Sequence, residues 1–116
     1  MIVAIQGTRN FNDYNVFLRG IGTALRSLPA DDKQFVIYSV GPIQINAFAT
    51  GFANITENSL KSQGIKIKFK KVPNTWLENN LHEVDYVLFF SKPKEPLSTL
   101  VKKAEAKDIE VGVYRY

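Results

Sequence analysis

The sequence contains no cysteine, a single histidine and no long apolar run. Without cysteine the chain has no disulfide framework, no thiolate zinc site and no cysteine nucleophile. One histidine, His82, excludes a centre built from several histidines. No stretch approaches the roughly 20 apolar residues that a membrane-spanning helix needs. The opening residues lack the basic segment of a secretory signal, so we expect a soluble cytoplasmic protein without a membrane, metal or cofactor partner.

What the chain does contain is the composition of one globular domain, covering residues 1–116. Hydrophobic residues make up 45% and charged residues 22%, a balance that permits a packed core and is not typical of disorder. The 15 basic and 11 acidic residues leave a net charge of +4. This mild excess favours anionic partners, although solubility alone also accounts for a charge of this size.

Hydrophobic patterning predicts a sheet of five parallel strands. Strand-like segments cover residues 1–6, 34–40, 65–70, 84–90 and 109–114, and helical segments cover residues 14–28, 43–62 and 96–107. The first, second and fourth strands are almost continuously apolar, as in strands covered on both faces, whereas the third and fifth alternate and belong at the edges. This predicts a Rossmann-like three-layer α/β/α fold of strand order 3-2-1-4-5, with a loop between the third and fourth strands.

Polar segments follow the three inner strands, where open parallel sheets bind ligands. Glycine admits close approach of a ligand to the backbone, arginine supplies a fork for phosphate, and helix starts attract anions. Ordinary turns and helix caps are the alternative interpretation of the same residues. The candidates are Gly7, Thr8 and Arg9 after the first strand, Gly41, Pro42 and Asn46 after the second, and Lys92, Ser98 and Thr99 after the fourth.

These segments, taken in order, resemble the cpYpsA-related (YspA-like) branch of the SLOG superfamily. The branch is related to the Lonely-guy phosphoribohydrolases and to the DNA-processing protein A. The family's opening strand, Gly-Ser/Gly-Arg, aromatic residue and Asp-Tyr correspond to residues 5–14. Its glycine-rich second turn corresponds to residues 41–46, its Pro-Ala-x-Trp to residues 73–76, and its acidic residue before an apolar strand to residues 85–90. The resemblance covers essentially the whole chain and implies the same strand order.

The resemblance implies that the chain binds a nucleotide or nucleotide-derived small molecule at the carboxyl ends of strands one, two and four. Gly7, Thr8 and Arg9 would then hold phosphate or ribose, Gly41, Pro42 and Asn46 would line a second wall, and Ser98 and Thr99 a third. Further wall residues would be Tyr14, Trp76 and Lys92.

The chain departs from the family pattern in ways that bear on activity. Pro42 stands where the family turn has its second glycine, either Gln44 or Ile45 stands where it has a later one, and the Pro-Gly-Gly-x-Gly-Thr-x-x-Glu signature is absent. We therefore expect a sensor or sequestering module without catalysis. The alternatives are a phosphoribohydrolase-like nucleotide hydrolase and a nucleic-acid or protein interaction domain. The short, drifted chain suits a phage gene, which would place it in the host cytoplasm.

Three further features each permit two interpretations. The lysines of the third strand suit nucleic acid or edge protection, and we favour protection because no aromatic platform accompanies them. Trp76 suits stacking on a base or sealing the core, and we favour sealing. Phe48, Phe52 and Ile55 lie on a helix that is apolar almost all round, which indicates a homodimer through this helix or a tightly packed monomer.

Overall fold

The computed structural model describes residues 1–116 and contains one five-stranded sheet. The sheet order is β3-β2-β1-β4-β5, and all four neighbouring pairs are parallel. The predicted Rossmann-like α/β class and strand order are thereby confirmed. The strands are β1 (Ile2–Gly7), β2 (Gln34–Ser39), β3 (Lys66–Lys71), β4 (Tyr86–Ser91) and β5 (Glu110–Arg115).

Helices cover both faces of this sheet. The helices are α1 (Tyr14–Arg26), α2 (Ile43–Ser62), α3 (Asn74–Asn79) and α4 (Thr99–Ala106), and a 3-10 turn covers Leu81–Glu83. We call the face under α1 and α2 the first face, and the face under α3 and α4 the second face. No helix combines the length and the apolar character that crossing a membrane requires.

Alternate residues of the inner strands supply the two cores. On β1, Val3 and Ile5 enter the core of the first face, while Ala4 enters the core of the second. Every residue of β4 is buried. Its continuous apolar run predicts a strand that is covered on both faces, and the structure agrees. Strands β3 and β5 lie at the edges, as their alternation predicts.

Every strand differs from the sequence prediction by one or two residues at one or both ends, and three further differences concern the helical segments. Helix α1 ends at Arg26 rather than at residue 28, because the Ser27 amide already closes the last turn. Helix α4 begins at Thr99 rather than at residue 96, because the Ser98 hydroxyl accepts the Val101 N–H as an N-cap. The predicted loop between β3 and β4 contains α3 and the 3-10 turn, which are too short to show a helical period.

The second face lacks a helix over its β3 edge. Lys66, Lys68 and Lys70 are exposed there, since the alternate residues Ile67 and Phe69 pack against the core of the first face. Parallel pairing places Tyr38 of β2 beside Lys70. Sequence spacing within β3 does not reveal this ring, because the neighbouring strand supplies it.

Candidate functional site

The backbone that follows β1 is already hydrogen-bonded within the chain. The Gly7 N–H donates to the carbonyl of Gly41 at 3.1 Å, and the Thr8 N–H donates to the carbonyl of Phe90 at 2.9 Å. The Thr8 hydroxyl lies 2.9 Å from the Tyr116 hydroxyl. Because these groups have partners in the chain, a phosphate at this point would have to displace them.

Side chains occupy the crevice beside Gly7. A Cβ at Gly7 would lie 2.8 Å from Cγ1 of Ile45 and 3.5 Å from Cβ of Phe11. Ile45 and Phe11 are fully buried, and the Phe11 ring stacks on Phe90 with centroids 5.0 Å apart. None of the three cavities in the structure lies at this point. The Ile45 side chain of α2 thus packs against the backbone at the end of β1.

The turn between β2 and α2 is organised by a buried serine. The Ser39 hydroxyl donates to Oδ1 of Asn46 and accepts the Gly41 N–H at 3.2 Å. Gly41 has a φ of +96°, a conformation that glycine adopts without strain. Pro42 is the residue before α2, and its side chain makes no capping hydrogen bond. Asn46 accepts this bond through Oδ1, and its amino group donates no hydrogen bond within the chain.

Arg115 fixes the segment that follows β4. Its Nη1 donates to the hydroxyl of Ser91, to the carbonyl of Lys92 at 2.8 Å and to the carbonyl of Glu95 at 3.0 Å. The Glu95 carboxylate in turn accepts the Lys92 N–H. Sequence reasoning missed Arg115, because an arginine in an alternating edge strand gives no local sign of a partner on the preceding strand.

The remaining predicted site residues are spread along the side of the sheet where the strands have their carboxyl ends, which we call the carboxyl edge. Arg9, Lys92 and Thr99 are exposed, and no side-chain hydrogen bond or ion pair holds them. Tyr14 lies on the first face, where its ring packs on Phe17 and Phe48. Trp76 belongs to the second face, so the structure does not bring it together with Tyr14.

A polar contact missed by the sequence lies next to Trp76. The Gln6 side chain donates to Oδ1 of Asn74 at 3.2 Å, and Asn74 donates to Glu78 at 2.9 Å. The other amide atom of Gln6, Oε1, is the one buried side-chain polar atom without a partner.

An open groove lies at the carboxyl edge, between α2 and β3. We call it the α2–β3 groove, and its volume is about 540 Å³, within the usual size of small-molecule sites. Gly51 lines the groove, and a Cβ there would meet no atom within 4 Å, so the space above this glycine is open. The lining residues are Ile43, Asn46, Ala47, Thr50, Gly51, Asn54, Phe69 and Lys71.

The groove combines apolar walls with positive charge. Ile43 is 84% exposed and Phe69 is half-buried, so two apolar groups remain available to a flat ligand. Lys71 is exposed and forms no ion pair. The first turn of α2 contains no acidic residue, so the positive end of its dipole is not neutralised locally. Such a surface is suited to a ligand with an apolar ring and an anionic group.

The carboxylates near this edge serve structural contacts. Asp13 caps α1 by accepting the Val16 N–H at 3.1 Å, and Glu78 lies 3.3 Å from the Lys103 ammonium. No group of three or more His, Asp and Glu side chains is arranged to hold a metal.

The shifted pKa values belong to the opposite edge, at the amino ends of the strands. Hydrogen bonds from the Met1 amino group and the Gln34 amide lower the pKa of Asp32. Burial, together with Tyr114 and Glu110, raises the pKa of Tyr86. Titration of these two groups therefore acts on stability rather than on the groove.

The residues predicted to form a dimer face divide between core and surface. Phe52 is buried and Phe48 packs against the rings of Phe11 and Phe17, within the core of the first face. Ile55 is 75% exposed, and Ile43 in the groove is 84% exposed. The homodimer stays a prediction, and within this helix only the two isoleucines offer large exposed apolar side chains to it.

Of the predicted ligand residues, only Asn46 lines a cavity. The carboxyl edge thus contains a filled crevice at the reversal of strand order and an open groove at the β3 end. Comparison of the chain with protein-family models, with curated proteins and with solved structures finds no match.

Proposed function

We propose that this chain binds a nucleotide or a nucleotide-derived anion at the carboxyl edge of its sheet and performs no reaction on it. The α2–β3 groove is the observation that carries the proposal. It lies at the edge where parallel α/β sheets bind ligands, and its apolar walls and lysine match a base and a phosphate.

The groove, rather than the crevice beside Gly7, is the part of this edge with room for a ligand. Ile45 and Phe11 occupy the crevice, and the Gly7 and Thr8 amides already have carbonyl partners. Two features connect the groove with the predicted site, namely Asn46 and the positive end of α2. We propose that the ligand binds in the groove because the Ile45 side chain occupies the crevice.

The proposal of binding without turnover rests on the roles of nearby groups. Asp13, Glu78 and Glu95 are engaged in a cap, an ion pair and a loop contact. A glycosidic cleavage needs a carboxylate placed against the sugar, and none of these is free to take that position without breaking its contact.

Isothermal titration with orthophosphate and with nucleoside mono-, di- and triphosphates tests the proposal. We expect binding that is lost in Gly51→Leu, because the leucine side chain would enter the open space above Gly51. Gly22→Leu is the matched control, since Gly22 is also a helical glycine, and a Cβ there makes only an ordinary contact with the end of Arg26. Both variants exchange a poor helix former for a good one, so folding is not compromised.

Lys71→Gln separates recognition of phosphate from recognition of the base. We expect about tenfold weaker binding of nucleotides, because a hydrogen bond to a charged group contributes about 1.5–3 kcal/mol. The affinity for the corresponding nucleoside would not change. Chromatography after incubation would recover the nucleotide intact. Binding equal in wild type and Gly51→Leu would contradict the location, and release of free base would contradict the absence of turnover.

A further inference from the structure

A row of lysines stands on an uncovered part of the second face, away from the groove. Lys66, Lys68 and Lys70 are exposed on β3, and their spacing is about 6.6 Å, since alternate strand residues share a face. None of the three forms an ion pair. Edge protection requires that β3 be charged, but it does not require aromatic rings beside the lysines.

Aromatic rings accompany this row at its carboxyl end. Tyr38 pairs with Lys70 across the strands, and the Trp76 ring meets the Tyr38 ring edge to face with centroids 5.6 Å apart. Both side chains are half-buried at the margin of the second core, so each keeps part of its ring accessible. Val36 of β2 pairs with Lys68 and continues the apolar strip beside the lysines.

We propose that this surface, which we call the lysine–tyrosine face, binds single-stranded nucleic acid. Its three ammonium groups match the regular phosphates of an extended strand, and accessible rings beside them give unpaired bases a surface for stacking. The open sheet strip leaves room for bases laid flat on it, as in other domains that read single strands on a sheet. A duplex hides its bases within the helix and would use only the charges.

Two carboxylates lie near the amino end of this row, since Asp32 accepts the Gln34 N–H at 3.0 Å and Glu57 lines a cavity together with Lys66. The residue of β2 opposite Lys66 is Gln34, and the backbone of Lys66 bonds to that of Lys33, which adds a cation at the amino end. Asp85 is bonded to the Ile2 amide on the far side of β1, beyond β2. The row, with Lys33 at its amino end, keeps an excess of positive charge, which favours association with an anionic polymer.

Fluorescence anisotropy of a labelled oligothymidylate tests the proposal with the whole chain. Neutralising three phosphates of a single strand predicts a slope of about −2 for the logarithm of the binding constant against the logarithm of salt concentration. Trp76 is the only tryptophan, so quenching of its emission during the titration reports directly on this face. A duplex of equal length would bind more weakly and leave Trp76 emission unchanged.

Two variants of equal net charge locate the binding. The triple variant Lys66→Gln, Lys68→Gln, Lys70→Gln would lose the binding and flatten the salt slope. The control triple variant Lys94→Gln, Lys102→Gln, Lys107→Gln removes the same charge from exposed positions outside the face and would retain most of the affinity. Tyr38→Leu would weaken binding about tenfold by removing one stacking ring.

Specific outcomes overturn the proposal. Equal losses in the two triple variants would mean that net charge alone attracts the oligonucleotide. Loss of binding in Gly51→Leu with no effect of the β3 lysines would place the oligonucleotide in the α2–β3 groove. Binding to phosphatidylserine vesicles without binding to oligothymidylate would make the face a membrane contact. Should the β3 triple variant aggregate, wild-type titration without Trp76 quenching would still refute stacking on this face.

Discussion

Substitution of Gly7 by alanine tests whether Ile45 really fills the crevice at the end of β1. The new Cβ would lie 2.8 Å from Cγ1 and 3.1 Å from Cδ1 of Ile45, closer than carbon atoms pack. Ile45 is fully buried, so it cannot swing into solvent. Overpacking of this kind costs about 1–3 kcal/mol of unfolding free energy. Ile45→Ala alone would cost about 2–5 kcal/mol, because it leaves a cavity.

The double variant Gly7→Ala, Ile45→Ala measures the coupling free energy between the two positions. The added methyl group would occupy space that the isoleucine vacates, so the double variant would be about 1–2 kcal/mol more stable than the sum of the single losses predicts. Urea unfolding followed by Trp76 emission measures all four proteins, with a constant m-value as the check on two-state behaviour.

Ile43→Ala is the control on the same helix, because Ile43 is 84% exposed and lies in the groove. Its combination with Gly7→Ala would be additive within about 0.5 kcal/mol. If the free-energy losses of Gly7→Ala and Ile45→Ala were also additive, Ile45 would not fill the crevice. A Gly7→Ala variant as stable as wild type would lead to the same conclusion.

Other predictions concern stability. Gly20→Ala would lower the unfolding free energy by about 1–2 kcal/mol, because its Cβ would lie 2.8 Å from the buried Phe90 ring, whereas Gly22→Ala on the same helix would raise it by about 0.5–1 kcal/mol; urea unfolding measures both, and equal effects would contradict the packing. Asp13→Ala removes the N-cap of α1 and would cost about 1 kcal/mol in the same assay, with Asp13→Asn nearly neutral. The raised pKa of Tyr86 means that the folded chain holds the phenol proton more tightly than the unfolded chain. Its contribution is therefore complete below the ordinary tyrosine pKa and is lost as pH rises through the higher folded value, so Tyr86→Phe would make stability fall less steeply in alkali. An unchanged alkaline profile in that variant would contradict this assignment.

The strand order could be predicted from sequence because the burial of a strand determines the pattern of apolar residues along it. Continuous apolar runs mark β1, β2 and β4 as inner strands, and the alternating lysines of β3 mark an edge. Helix α3 could not be predicted in the same way, since six residues complete fewer than two turns and show no period.

The site was harder to predict because it depends on which side chains meet across the fold. Gly7 was correctly placed at the end of β1, but that Ile45 packs against it follows from the position of α2 and from nothing local. The lysines of β3 can be recognised in the sequence. That Tyr38 lies beside Lys70 follows only from the register between β2 and β3. Arg115 reaches Ser91 only because the last two strands pair in parallel.

Chemical-shift mapping of the nitrogen-15-labelled chain titrated with a nucleotide most directly tests the central claim that the ligand site is the α2–β3 groove. We expect concentration-dependent shifts of the Asn46, Gly51 and Lys71 amide signals, no shifts of the Gly7 and Thr8 signals, and loss of all shifts in Gly51→Leu. Shifts centred on Gly7, Thr8 and the start of α4, or no shifts with any nucleotide, would contradict it.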